Sequence, residues 1–246
     1  METSHKHHHT AETNLHFNMA FHRDTEVIKA GGPVKLFFKP EVANQPDYVV
    51  PLTLLHEKKI HLLIMSKDLS YFSHEHPEPS ENGEYVCEHT FPSGGQYVLF
   101  QDYMPEEAAQ QLVRQEIQVA GDQMAKASTN TVATTWKEDG YEVNIFPNGS
   151  AFKVNAAVML NALVTKNGLP VTDLEKYLGS LAHVVIISSD TQDYLHVHPM
   201  GSVTKGPEIM IHTHFPKSGY YSLFMEFKHE GRVRTASFKL AAESKK

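Results

Sequence analysis

Two stretches decide how this chain reads: HLLIMSKDLSYFSHEHP, residues 61–77, and HVVIISSDTQDYLHVHP, residues 183–199. Shifted by 122 positions, His61 falls on His183, His74 on His196, His76 on His198 and Pro77 on Pro199. Each is an apolar run, a polar turn and a second short run, the pattern of a β-hairpin. A second block follows each of them. Phe91-Pro92-x-x-Gly95-x-Tyr97-x-Leu99-Phe100 returns as Phe215-Pro216-x-x-Gly219-x-Tyr221-x-Leu223-Phe224, now at a shift of 124. Repetition of this length means a duplicated unit with a duplicated set of histidines.

Working outward, the remaining strand signals also come in pairs. Leu15–Phe21 is echoed by Tyr141–Phe146, and Pro33–Phe38 by Ala156–Leu163. Helical periodicity is scarce: residues 105–116 (PEEAAQQLVRQE) and 172–178 (TDLEKYL) each read as a short helix or helical turn. The segment AGDQMAKASTNTVA, residues 120–133, is small and polar and reads as a linker. The expected fold is all-β, two tandem immunoglobulin-like antiparallel β-sandwich domains, with a jelly-roll or cupin architecture as the rival. The expected divisions are a His-rich N-terminal segment (1–11), repeat 1 (12–120), the linker (121–133) and repeat 2 (134–242).

Composition narrows the partners. The 246 residues suit two domains of ordinary size. A net charge of −7 without a basic cluster argues against nucleic acid, and no apolar run approaches the length that spans a bilayer. The single cysteine, Cys87, excludes an internal disulfide and any multi-thiolate zinc site. METSHKHHHTAETN has no apolar core and is not a signal peptide. It reads either as a cytoplasmic start or as the tether left once a leader or lipoprotein anchor is removed.

Seventeen histidines carry the functional signal. His74 and His76, two apart in an extended segment, leave the same face of their strand. A hairpin turning around Lys67–Ser70 with an even-numbered loop sets His61 opposite His76, so three imidazoles share that face, close enough to converge on one ion. The same geometry follows for His183, His196 and His198. His89, or His212 and His214, are candidates for a further ligand, as are the aligned carboxylates Asp102 and Glu226. Imidazoles with optional carboxylate suit copper or zinc. Met200, Met210 and Met225 raise a softer His/Met site for Cu(I) in the second half. The bland alternative is histidine packing on aromatics and bonding a backbone carbonyl, and Leu63, Met65 and Phe72 on the same face mark part of it as core.

The histidine pattern, the Phe-Pro-x-x-Gly-x-Tyr-x-Leu-Phe block and the last strand from Gly231 to Phe238 together resemble a group of poorly characterised bacterial domains. These are secreted or lipoprotein-anchored and are often associated with heavy-metal or copper handling. The resemblance is best from about Gly168 to Leu240, and its matching positions include His183, Asp190, Tyr194, His196, His198 and Pro199. It implies an extracytoplasmic β-sandwich with a metal-related role and no established enzymatic activity; a cytoplasmic location is the alternative. The Phe-Pro-x-x-Gly-x-Tyr block itself reads as a turn, with Pro setting φ and Gly permitting positive φ.

Three functions remain on these grounds. The first is a non-enzymatic carrier, buffer or sensor of copper or zinc ions. The second is a metal-free interaction module whose loops contact another protein or a glycan. A cupin-like metalloenzyme is a distant third, because neither H-x-H is followed by Glu at cupin spacing.

Overall fold

The computed structural model describes residues 15–106, 108–123, 131–149, 152–197, 199 and 205–244, with His196 described for its backbone alone. Short two-residue pairings aside, the first repeat has seven strands among the described residues. They are β1 (Phe17–Arg23), β2 (Pro33–Val42), β3 (Ile60–Ser66), β4 (Phe72–Glu75), β5 (Tyr85–Thr90), β6 (Gly95–Pro105) and β7 (Gln111–Ala120). One sheet runs β1-β2-β5 and the other β7-β6-β3-β4. The second repeat adds a leading strand. It comprises β8 (Thr135–Glu138), β9 (Tyr141–Pro147), β10 (Ala157–Lys166), β11 (Ala182–Ser188), β12 (Tyr194–Val197), β13 (Glu208–His214), β14 (Gly219–His229) and β15 (Arg232–Glu243). Its sheets run β8-β9-β10-β13 and β15-β14-β11-β12. The chain is two tandem antiparallel β-sandwiches of immunoglobulin-like type.

Alternation explains each core. In the second repeat Ala182, Val184 and Ile186 of β11 pack with Tyr221, Leu223, Met225 and Phe227 of β14 and with Leu160, Ala162 and Val164 of β10. The intervening residues His183, Val185 and Ile187 leave the opposite face, yet they too are buried. β3 repeats this, with Ile60 to Met65 buried on both faces, which is why both strands read as unbroken apolar runs rather than as alternation. The chain divides into two compact units, Met1–Ile64 with Ser73–Met124, and Met65–Phe72 with Ala125–Lys246.

Both hairpins are built by the same local chemistry. Ser66 Oγ donates to Asp68 Oδ1 (2.7 Å) and accepts from the amide of Tyr71 (2.9 Å). In the second copy Ser188 Oγ donates to Asp190 Oδ1 (2.6 Å) and accepts from the amide of Asp193 (2.8 Å). Leu69 and Thr191 take positive φ at the equivalent turn position, 57° and 59°. The Phe-Pro block is a second shared device. Tyr97 donates to the carbonyl of Ser93 (3.0 Å) and Tyr221 to that of Lys217 (2.8 Å), each four residues upstream, while Phe91 and Phe215 stand edge-on to those rings. Its resemblance to a tyrosine corner supports a structural role for the block.

Two expectations fail. Residues 111–116 are not helical; Gln111–Ala120 forms β7, with Ile117 and Val119 buried on alternate positions against β6. Glu, Ala and Gln favour helix, but the open edge of β6 supplies a ladder of partners that outweighs that weak preference. Residues 172–178 are likewise an irregular segment. Leu174 and Leu178 are buried, and the amides of Leu174 and Glu175 bond to the carbonyls of Lys205 and Lys228.

Candidate metal centre

The β3–β4 hairpin sets the geometry. The amide of Ser66 donates to the carbonyl of Tyr71 (3.2 Å) at the hairpin mouth, and stepping the register back along both strands brings His61 opposite His76. His74 lies two residues before His76, so all three rings share one face. One nitrogen from each of His61, His74 and His76 lies within 4.8 Å of the others. Ring centroids are 5.1 Å apart for His61–His74, 5.0 Å for His61–His76 and 4.5 Å for His74–His76.

Hydrogen bonding assigns the tautomers. His61 Nε2 lies 2.7 Å from the carbonyl of Leu55, an acceptor only, so Nε2 carries the proton and Nδ1 carries the lone pair. That Nδ1 is 3.0 Å from His74 Nε2, which therefore donates to it. A carbonyl that holds the distal N–H of a ligating histidine is a common means of fixing ring orientation at metal sites. His76 Nε2 is sealed from solvent and has no hydrogen-bond partner among the described residues. Burial above all, then the neighbouring His74, His61 and Lys58, push its pKa down to about 2. The ring is thus neutral and offers a lone pair, the state a metal requires. Two nitrogens on one tetrahedral ion sit roughly 3.3 Å apart, so the 3.0 Å pair stands at ligating separation once an ion displaces the proton that His74 Nε2 donates.

Among the other candidate ligands, His89 and Asp102 have partners of their own. His89 pairs with Glu75 (3.2 Å) and stands edge-on to Phe91, and this pairing is the main reason the Glu75 carboxyl lies below its ordinary pKa. Glu75, between His74 and His76 in sequence, faces away from them by strand alternation. Asp102 is buried and accepts from Gln110 Nε2 at 2.6 Å. In the second repeat His183 is buried and directly opposite Glu226 across the β11–β14 ladder. The backbone of His196 pairs with Val185, and Pro199 bridges to Ile211; His198 and Met200 lie outside the described residues, as does the N-terminal HKHHH tract. Met225 is buried in the core. His212 and His214 are exposed on β13.

Sequence reasoning missed His56 and the Leu55 carbonyl. The His56 ring centroid is 6.0 Å from that of His61, and His56 takes positive φ, 47°. Leu178 stands at the corresponding position of the second copy, so repetition gave no signal for it.

A family model matches the chain twice, over residues 16–121 and 133–244, which covers both sandwiches; its description is a domain of unknown function, DUF8832. The chain belongs to the DUF8832 family. That description names no metal, so the expected kinship with metal-handling domains goes beyond what the family match shows. No curated protein matches the chain. Among solved structures, the two DUF8832 repeats are similar to the Escherichia coli adhesin FdeC, with a TM-score of 0.32 and 12% identity, covering 94% of this chain and 66% of that one. An Escherichia coli alpha-2-macroglobulin gives a TM-score of 0.31 at 10% identity, covering 93% and 15%. The Yersinia pseudotuberculosis adhesin InvE gives 0.29 at 8%, covering 90% and 58%. The chain spans less than two thirds of each of these proteins. Among the described residues, no helix is long and apolar enough to cross a membrane.

Proposed function

We propose that this protein is a non-enzymatic metal-binding protein that holds Zn(II) or Cu(II) at His61, His74 and His76. It would act as a carrier, buffer or sensor of that ion. One observation carries the reading: three imidazoles within ligating reach of one another, one of them neutral with its Nε2 sealed off and unbonded. Such an arrangement costs free energy unless something coordinates that nitrogen. His56, its ring centroid 6.0 Å from that of His61, would complete a four-coordinate site. The resemblance to secreted and lipoprotein-anchored domains supports an extracytoplasmic location.

The test is metal uptake by the chain lacking residues 1–10, measured by calorimetry and elemental analysis. The expected result is at least one equivalent of Zn(II) or Cu(II) that is lost in His61→Ala, His74→Ala and His76→Ala, with circular dichroism showing the fold retained. No uptake by a folded chain would leave the second reading, a β-sandwich interaction module. Its specific support is the exposed apolar set Tyr48, Val49 and Leu54, whose relative exposures are 45%, 56% and 59%.

A further inference from the structure

The outward face of the β10–β13 pair carries a different set of donors. Burial along β13 alternates strictly, with Ile209, Ile211 and Thr213 inward and Glu208, Met210, His212 and His214 outward. In the antiparallel register His212 is directly opposite Met159, Met210 opposite Asn161 and His214 opposite Ala157. Met159 is half-exposed on the same face of β10. Directly opposed residues have Cβ atoms about 5 Å apart, and alternate residues on one strand lie about 7 Å apart. His212 is therefore the centre of a patch, with one thioether across the ladder, a second two residues before it and another imidazole two residues after it.

We propose that Met159, Met210 and His212 form a second metal site, selective for a soft monovalent ion of the Cu(I) class. Thioether sulfur favours Cu(I) over harder divalent ions, whereas the all-imidazole triad of the first repeat suits Zn(II) or Cu(II). Methionine's three rotatable bonds let both sulfurs swing toward an ion held at His212, whereas His214, four residues and about 14 Å along the strand from Met210, lies out of its reach. Glu208, the carboxylate on this face of β13, is four residues from His212 and opposite Leu163, so the near donors of His212 are soft or borderline. The site does not depend on the triad and stands or falls apart from it.

The test uses the full chain with methionine labelled at the ε-methyl carbon and titrated with Ag(I), a redox-inert stand-in for Cu(I). The expected result is saturable displacement of the Met159 and Met210 methyl resonances, with that of Met225, buried in the core, unmoved. Met159→Leu with Met210→Leu, a pair of volume-conserving changes, weakens Cu(I) binding at least tenfold against a chelator competitor. The same pair of changes leaves Zn(II) uptake intact. His76→Ala shows the converse: zinc uptake falls while the Ag(I) displacements persist. Unmoved Met159 and Met210 resonances, or displacements unchanged in His212→Ala, overturn the proposal.

Discussion

Replacing His76 by leucine should make the metal-free protein more stable, and the reason lies in a single nitrogen. Nε2 of His76 is cut off from solvent without a partner among the described residues, and a buried polar atom left unpaired costs about 1–3 kcal/mol. Leucine removes the polar atom and fills much of the same space, so after some loss to imperfect packing the expected gain is about 1–2 kcal/mol. For a repeat of this size that raises the melting temperature by roughly 5 °C or more. With Zn(II) at about a hundred times its dissociation constant, the wild type gains about 2.7 kcal/mol by mass action while the variant, lacking one ligand, gains little. The order of stability should therefore reverse between EDTA and zinc. Guanidinium unfolding separates the repeats, because the one tryptophan, Trp136, lies in the second: its fluorescence reports that repeat alone, whereas far-ultraviolet circular dichroism reports both. The change should appear in the dichroism and not in the fluorescence. A His76→Leu protein less stable than wild type in EDTA by about 1 kcal/mol or more would refute the reasoning, since the nitrogen would then be satisfied in the native state.

Three further outcomes follow from the geometry. Burial pushes the Cys87 thiol up to about 12, so at pH 8 its alkylation should run about a thousandfold slower than that of an ordinary cysteine and recover on unfolding, as followed by mass spectrometry. In the second repeat Tyr141 and the His229 ring share a 2.7 Å hydrogen bond, His229 also pairs with Asp173 (2.9 Å), and Arg234 lies 4.1 Å over the tyrosine ring. Tyr141→Phe keeps the stacking but strands a buried ring nitrogen, and should lower stability by about 1–3 kcal/mol in the Trp136 fluorescence transition; an unchanged midpoint would show that this bond contributes nothing. Asp190 is held down to about 2, first by the Lys217 ammonium and then by the Ser188 hydroxyl. Because its folded pKa is depressed, its stabilising increment is full above about pH 4 and lost as pH falls through about 2. Acid titrations of Asp190→Asn should lack that segment of the slope, and high salt should shrink it in the wild type.

The fold was legible where repetition and alternation agree. The hairpin from His61 to Pro77 could be placed because an apolar run, a polar turn and a second short run recur at His183–Pro199, and because an even-numbered loop around Lys67–Ser70 fixes the register. The convergence of His61, His74 and His76 follows from that register and from strand alternation. β7 was not legible, since its helix-favouring composition says nothing of the open edge that β6 presents. His89 was not either: a histidine three residues from a Phe-Pro turn looks the same in sequence whether it faces an ion or, as here, Glu75. His56 carried no signal because it occurs in one copy alone, and a backbone carbonyl such as that of Leu55 leaves no mark in sequence at all.

The serine–aspartate turns and the tyrosine locks have a consequence for how such a chain can change. Each copy closes its hairpin with a serine–aspartate pair that stands five or more residues along the chain from the hairpin's own histidines, so the folding of the loop and the chemistry of the adjoining face are set by separate residues. Duplication under those terms yields two scaffolds that tolerate different donors on the same backbone. The outward residues of one copy can change while those of the other stay as they are, with both sandwiches still closed by the same turn.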